Sequence, residues 1–380
     1  MRILVIDNGL SVEMSGGDFH IIKVAQYWAK TNMIFFLLSK QAYYLASKLL
    51  VGKSLVYNTP FKWEYYTKAH GTLGNIILLT LRILKTVLFD PKERFDVIVA
   101  SSHYPHDVIP AISLKLRYPC SKFVVYFHSL DIPHRAVSLL RIISIMGNYL
   151  GALLVKMSAD LVFTSNSYTQ NFLLFLGIEK RRVFLTNQGV DTRHFALQPK
   201  KIFDGCFIGR CVKHKGIYDL LRICDIVRKS KSDFKLAICG YGKESPRISE
   251  LVRKKKLESN VILLGLVQED KKYNVLHCSR VFIFPSYLEG WGIAVAEAMA
   301  CGLPVVTYHL PVYREVFDDK LITVPVGDID AMAKEVIYLL ENPEVAKKIG
   351  EANREFVKRY DWKTVAEKEL SAIINLINKR

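Results

Sequence analysis

The chain has 380 residues, 50% of them hydrophobic and 11% aromatic, with a formal net charge of +17. That length exceeds one small core and suits two domains of ordinary size. The apolar and aromatic content, with no low-complexity tract or internal repeat, excludes a disordered or repeat-built chain.

Taken in chain order, Arg2-Ile3-Leu4-Val5-Ile6 opens as a strand rather than a signal peptide. A helix over Asp18–Lys30 follows Gly16-Gly17. Further strands are expected at Met33–Leu38, Asp96–Ala100, Lys122–Phe127, Leu161–Thr164 and Val183–Leu185. Each is a short apolar run, mostly β-branched or aromatic, that ends at polar or Gly residues. The longest strongly apolar run, between Arg141 and Lys156, holds Asn148 and two glycines. It falls short of the roughly 18–20 residues a membrane span needs.

The positive charge is concentrated early. Residues 40–85 carry Lys40, Lys48, Lys53, Lys62, Lys68, Arg82 and Lys85 against Glu64, interleaved with Tyr43, Tyr44, Tyr57, Trp63, Tyr65 and Tyr66. Cations mixed with amphipathic rings suit the headgroup layer of an anionic membrane. A solvated basic surface is the plainer alternative. No nucleic-acid motif accompanies the charge, so nucleic acid is not expected as a partner.

The strand–helix pattern restarts after a polar, Gly- and Pro-bearing stretch from Gln188-Gly189-Val190-Asp191 to Pro199-Lys200-Lys201, which reads as a linker. The second set of strands is Ile202–Ile208, Phe234–Cys239, Val261–Leu264, Val281–Pro285, Pro304–Thr307 and Leu321–Val324. The fold class is therefore α/β: two Rossmann-like, doubly wound domains, at 1–197 and 198–361. Such sheets bind ligands at the carboxyl ends of their strands, and the cleft between the domains is the default active site. The last helix, 362–380, has apolar positions Val365, Ala366, Leu370, Ile373, Ile374 and Ile377 at helical spacing. Its own sequence does not name the domain that covers this face; we assign it to the N-terminal one. The seven cysteines, Cys120, Cys206, Cys211, Cys224, Cys239, Cys278 and Cys301, form no CxxC pair. They read as free thiols of a reducing compartment.

Two segments carry chemistry. In Gly209-Arg210-Cys211-Val212-Lys213-His214-Lys215-Gly216 a strand ends and a helix follows from about Ile217. Arg210 and Lys215 beside a helix start suit a diphosphate, with a basic turn as the plain alternative. In Pro285-Ser286-Tyr287-Leu288-Glu289-Gly290-Trp291-Gly292-Ile293-Ala294-Val295-Ala296-Glu297 a strand leads through a Gly-bearing loop into a helix. Gly290 and Gly292 let backbone approach a ligand, and the first helical N–H groups are free to bind phosphate or a sugar hydroxyl. Glu297, in an otherwise apolar helix, needs hydrogen-bond donors. Ribose hydroxyls would supply them; a salt-bridged helix Glu is the alternative.

The Glu289/Glu297 pair in this frame, with the Gly-Arg-x4-Lys-Gly element at 209–216, resembles the retaining GT-B glycosyltransferases of family GT4. Gly16-Gly17, Phe127-His128-Ser129 and Gly189-Val190-Asp191 fall where that family places corresponding motifs. The resemblance implies that Arg210 and Lys215 hold the donor diphosphate and that Glu297 takes the ribose. Glu289, with the backbone around Gly290, Gly292, Ile293 and Ala294, would hold the transferred sugar, and His128 would reach it from the N-terminal domain. Gly240, Tyr241 and Val267 would frame the base. Gly16 and Gly17 would bring N–H groups to the phosphate or acceptor side. It implies a retaining, metal-independent transferase using a UDP-, GDP- or ADP-sugar and no other cofactor; no DxD-type metal pair stands in a supportive loop. Its acceptor would be a glycan or lipid-linked hydroxyl, and its location cytoplasmic, peripheral on the inner membrane face. Gln188, Cys211 and Trp291 depart from the family pattern and weaken any choice of sugar. His103, with His106 nearby, is a candidate for acceptor contact, a solvated loop histidine being the plainer reading. A nucleotide-sugar epimerase of the same fold and a non-catalytic basic membrane-binding protein are the competing functions.

Overall fold

A computed structural model describes residues 1–8, 16–38, 55–58, 72–128, 139–192 and 200–378. The chain forms two compact units, one of Met1–Gln188 with Trp362–Arg380 and one of Gly189–Asp361.

The first unit is built on a seven-stranded parallel sheet in the order β3-β2-β1-β4-β5-β6-β7. Its strands are β1 (Arg2–Asp7), β2 (Met33–Leu38), β3 (Leu55–Asn58), β4 (Val97–Ala100), β5 (Lys122–Phe127), β6 (Leu161–Thr164) and β7 (Val183–Leu185). Continuous apolar runs are what a sheet buried on both faces requires. In β1, Ile3 and Val5 enter one hydrophobic cluster, whereas Leu4 and Ile6 enter the cluster on the other face. Helices α1 (Gly16–Trp28), α2 (Thr72–Leu88), α3 (Pro105–Arg117), α4 (Leu139–Ser158) and α5 (Ser167–Phe175) connect the strands. The edge strand β3 was not among the expected strands. Among the described residues its four residues pair with β2 alone, so its placement depends on a partner remote in sequence.

The second unit repeats the plan with six parallel strands in the order β10-β9-β8-β11-β12-β13. They are β8 (Phe203–Ile208), β9 (Leu236–Cys239), β10 (Val261–Gly265), β11 (Ser279–Phe284), β12 (Val305–Tyr308) and β13 (Ile322–Val324). The helices are α6 (Ile217–Ser230), α7 (Ser245–Lys254), α8 (Glu269–His277), α9 (Ile293–Ala300), α10 (Pro311–Phe317), α11 (Ile329–Glu341) and α12 (Pro343–Val357). In each sheet the order reverses beside its first strand, between β1 and β4 and between β8 and β11, which creates a crevice at the carboxyl ends. The cysteines are all free, and burial pushes the Cys206 thiol up to about 12, so it serves packing.

The final helix, α13 (Trp362–Asn378), belongs to the first unit and buries Trp362, Val365, Ala366, Glu369 and Ile373. Ile374, an expected core position, is 38% exposed, and the buried stripe instead contains a carboxylate. Glu369 accepts hydrogen bonds from Tyr126 Oη at 2.6 Å and Thr186 Oγ1 at 2.6 Å. It also faces His20 Nε2 at 2.9 Å, while His20 Nδ1 meets Gln188 Oε1 at 2.9 Å. The carboxylate is tolerable in a dry core because α1, β5 and the segment after β7 all point donors at it. The Trp28 indole adds a bond to the Ala366 carbonyl at 3.0 Å.

Replacing Glu369 by Ala leaves these donors buried without an acceptor. Urea denaturation should show a loss of about 3–5 kcal/mol, with Glu369→Gln milder because it keeps an acceptor. Equal stability of the two variants and the unaltered chain would exclude the role assigned to this carboxylate.

Candidate active site

In the second unit the chain leaves β8 at Gly209 and makes a single 3₁₀ turn over Lys213–Lys215 before α6. Gly216 ends that turn with φ +68°, and a Cβ there would lie 1.7 Å from the Pro285 carbonyl oxygen. Only glycine satisfies both the left-handed backbone and the contact. The loop after β8 thus lies directly against the loop after β11. Tyr287 N–H donates to the His214 carbonyl at 2.8 Å, and Ser286 Oγ donates to the same oxygen at 3.2 Å. Asp219, buried in α6, accepts from Tyr308 Oη at 2.8 Å and from Tyr287 Oη, which anchors the second loop from beneath.

This crossing pairs Lys215 with Glu289 through a short Nζ–Oε1 contact, both side chains largely buried. The Lys215 ammonium also lies 5.6 Å from the centroid of the Phe284 ring. Arg210 is exposed and, among the described residues, has no ion-pair partner. Gly292, at φ +108°, is the residue before α9, so the N–H groups of Ile293 and Ala294 open the helix with no intrahelical acceptor. Arg210, Lys215, Glu289, Gly290 and the α9 start therefore all belong to the loops flanking the strand-order reversal.

Glu297 lies one turn deeper, 7% exposed, and pairs with Lys272 Nζ of α8 at 2.5 Å. Burial pulls the Lys272 amine down, but the Glu297 carboxylate outweighs it and holds the amine above its usual value. Of the two partners expected for Glu297, a salt bridge is present here, from Lys272 to Oε1, and it leaves Oε2 for a ligand hydroxyl. Lys272 had no signal in its own neighbourhood, because the pairing is set by how α8 and α9 pack on the sheet. Beside these loops a cavity of about 280 Å³ is lined by Cys211, Gly240, Tyr241, Ser245, Leu263 and Gly265 among others. Gly240 and Tyr241 were expected at such a place. Val267 lies two residues past the lining, and Ser245 had gone unremarked.

In the first unit, Gly16 and Gly17 open α1 and His128 follows β5. The His128 ring packs on Gly17, where a Cβ would approach it to 2.6 Å. Its Nε2 faces the Ser101 carbonyl at 2.9 Å, so that nitrogen carries the hydrogen and Nδ1 is the acceptor. Burial first, and the neighbouring His20 second, push the His128 imidazole down to about 4. His103 is only 2% exposed, stacked on Phe127 at a centroid distance of 3.6 Å, with Nε2 at 2.6 Å from Asn148 Oδ1. Burial holds it down to about 3. It is a core histidine, not a loop residue open to solvent. Its neighbour His106 lies 3.7 Å from Asp107, whose carboxylate accepts from Ser101, Ser102 and the Asn8 N–H. Ser129 and most of the basic, aromatic segment (Lys40, Tyr43, Tyr44, Lys48, Lys53, Lys62, Trp63, Glu64, Tyr65, Tyr66 and Lys68) lie outside the described residues.

Two parallel Rossmann-like sheets with alternating helices make a GT-B fold. Residues 192–356, under half of the chain, match the family model "Glycosyl transferases group 1"; together with its glycosyltransferase relatives, this makes the chain a transferase enzyme. The O-antigen biosynthesis glycosyltransferase WclY of Escherichia coli is 26% identical over 262 residues, 66% of this chain and 71% of that protein. The phosphatidyl-myo-inositol mannosyltransferase of Mycobacterium leprae is 34% identical over 42% of this chain, and the match spans only 43% of its own length. The crystal structure of Anabaena HepE in complex with UDP and glucose superimposes with a TM-score of 0.75 over 98% of this chain and 99% of that one. At 15% identity that likeness shows the fold alone.

Both depressed histidines have the same linkage sign. Below about pH 6.5 the unfolded chain binds protons that the folded His103 refuses until about pH 3, so stability falls as pH falls through that window. His103 alone should remove about 2 kcal/mol between pH 6.5 and pH 5. Urea midpoints for the unaltered chain and His103→Asn test this; parallel pH profiles would refute it.

Proposed function

We propose that the chain is a retaining glycosyltransferase that moves a sugar from a nucleotide-diphosphate sugar to a hydroxyl of a glycan or lipid-linked acceptor, without a metal ion. The observation that carries this reading is the convergence of Arg210, the Lys215–Glu289 pair and the α9 start at the carboxyl ends of β8 and β11, beside the cavity under Tyr241. As the glycosidic bond breaks, negative charge gathers on the leaving diphosphate. Arg210 supplies a forked donor and Lys215 a point charge for it, and the α9 N–H groups add fixed dipoles. Glu289 holds Lys215 in place before the donor arrives, so little reorganisation is needed at the moment of reaction. It then serves as the acceptor for sugar hydroxyls. Glu297, held by Lys272, presents its remaining acceptor capacity to the ribose. The cavity takes the base; UDP, GDP and ADP are the candidate nucleotides.

His128 and Gly17 are assigned to substrate at the carboxyl-end face of the first sheet. With Nε2 committed to Ser101, His128 offers Nδ1 as a neutral acceptor at physiological pH. Retention of configuration rests on the resemblance of the Glu289/Glu297 frame. The relatives that match are transferases, and nothing in them favours an epimerase or a non-catalytic membrane binder.

Substituting Arg210 or Lys215 by Ala should lower turnover by roughly 2–4 kcal/mol in the barrier, about 10²–10³-fold, with the fold intact. Release of nucleoside diphosphate reports turnover, and thermal shift with UDP, GDP and ADP reports the donor class. Unchanged turnover in both variants, or no stabilisation by any of the three nucleotides, would overturn the reading.

A lipid-linked acceptor is supported by the outer face of α4. Ile142, Met146, Tyr149, Leu150, Leu153 and Met157 form a helical stripe, each between 43% and 76% exposed. Among the described residues no helix is long and apolar enough to cross a membrane. A solvent-facing apolar stripe near Lys156 instead suits the interfacial layer of an anionic bilayer. The chain should therefore co-sediment with anionic vesicles more than with neutral ones, and Leu150→Ser with Leu153→Ser should abolish the difference. Equal sedimentation with both vesicle types would remove membrane contact from the proposal.

A further inference from the structure

The amino ends of the second sheet, opposite the loops described above, carry their own concentration of positive charge. Lys201 precedes β8, Arg280 is the second residue of β11, and the turn Gly302-Leu303-Pro304 leads into β12. Helix α12 runs past this end and brings Lys347 from its first turns and Arg354 from its last. Together these residues line a cavity of about 350 Å³, a size suited to one small molecule. Leu303, Pro304, Leu339 and Pro343 give it an apolar wall, and Glu351 is the single carboxylate among its lining residues.

Most of these cations are poorly compensated. Among the described residues neither Lys347, Lys201 nor Arg354 has a carboxylate within ion-pair distance, and Arg280 has only Asp204 at 3.6 Å. The Lys201 ammonium donates to the His277 carbonyl at 2.8 Å, and desolvation pulls its pKa down. The Arg354 guanidinium makes a single long bond from Nη2 to the Cys301 carbonyl at 3.3 Å, and its Nε–H is buried with no acceptor. The buried Arg354 Nε–H is costly unless an acceptor completes it, and Lys201, Arg280 and Lys347 at the exposed rim add positive charge that an anion would balance. The start of α12, with Pro343 and Ala346 in the lining, adds the positive end of a helix dipole of 15 residues.

We propose that this cavity is a second anion site, separate from the donor loops, that binds a phosphate group, either free or carried on a small molecule whose body rests on the Leu303–Leu339 wall. Arg280 and Arg354 provide forked donors for the phosphate oxygens, and Lys201 and Lys347 provide point charges. The site does not depend on the glycosyltransferase reading, because its residues are drawn from the opposite ends of the strands.

Isothermal titration of the full chain with inorganic phosphate and, separately, with a hexose monophosphate tests the site. Lys347→Glu is the primary variant, since its side chain is exposed and its reversal spares the core; Arg354→Gln is the second. Lys229→Glu, a reversal at an exposed residue outside the cavity lining, controls for net charge. Arg210→Ala with Lys215→Ala disables the donor loops. The expected result is one phosphate site, at least about tenfold weaker in Lys347→Glu and unchanged in Lys229→Glu and in the donor-loop variant. Tighter binding of the hexose monophosphate than of inorganic phosphate identifies a carried phosphate, and equal binding identifies free phosphate. No binding of either probe, binding unaffected by Lys347→Glu, or binding abolished in the donor-loop variant would each overturn the proposal.

Discussion

The arrangement of the second unit depends on one close crossing, the left-handed Gly216 seated against the Pro285 carbonyl. Backbone that approaches this closely cannot accommodate a side chain, so the loops after β8 and β11 are fixed relative to each other by glycine and by the Tyr287–His214 hydrogen bond. Lys215 and Glu289 then meet without either loop needing to order on its own. Asp219 holds the same loop from below through two tyrosine hydroxyls. The diphosphate clamp proposed for these loops would be preorganised by the scaffold, and electrostatic stabilisation of a leaving group has the same requirement.

The first unit solves a different problem with a buried carboxylate. Helix α13 returns to it after the whole second unit has been traversed, and Glu369 gives that return a specific register. An apolar stripe alone would tolerate sliding by a turn; a carboxylate that must meet His20, Tyr126 and Thr186 together does not. The same network places α1, and with it Gly17, against His128. Stability and the geometry of the carboxyl-end face are thereby linked through one side chain.

Charge is partitioned within the second unit. At the carboxyl ends of its strands Lys215 is matched by Glu289 and Lys272 by Glu297. At the amino ends the cations outnumber the acids and few are paired. A chain with a net charge of +17 could have spread its lysines over solvated surface. Placing them around a cavity concentrates the potential where counter-ions are held most strongly.

The sequence by itself determined the fold class, twelve of the strand positions and the two glycine-bearing loops after β8 and β11, because each is a local pattern. An apolar run of four to six residues, a glycine at a strand end and a carboxylate in an alanine-rich helix are all legible within ten residues of chain. Tertiary structure alone decided what those residues meet. The short strand Leu55–Asn58 exists through pairing with β2, and Lys272 reaches Glu297 only because α8 and α9 both pack on β11. His103, which reads locally as a loop residue, is enclosed by Phe127 and Asn148 from distant segments. Glu369, which reads as one polar interruption in an amphipathic helix, is the centre of a buried network. Local patterns report what a segment prefers, whereas burial, ion pairing and the cost of an unsatisfied donor depend on neighbours that long-range folding brings together.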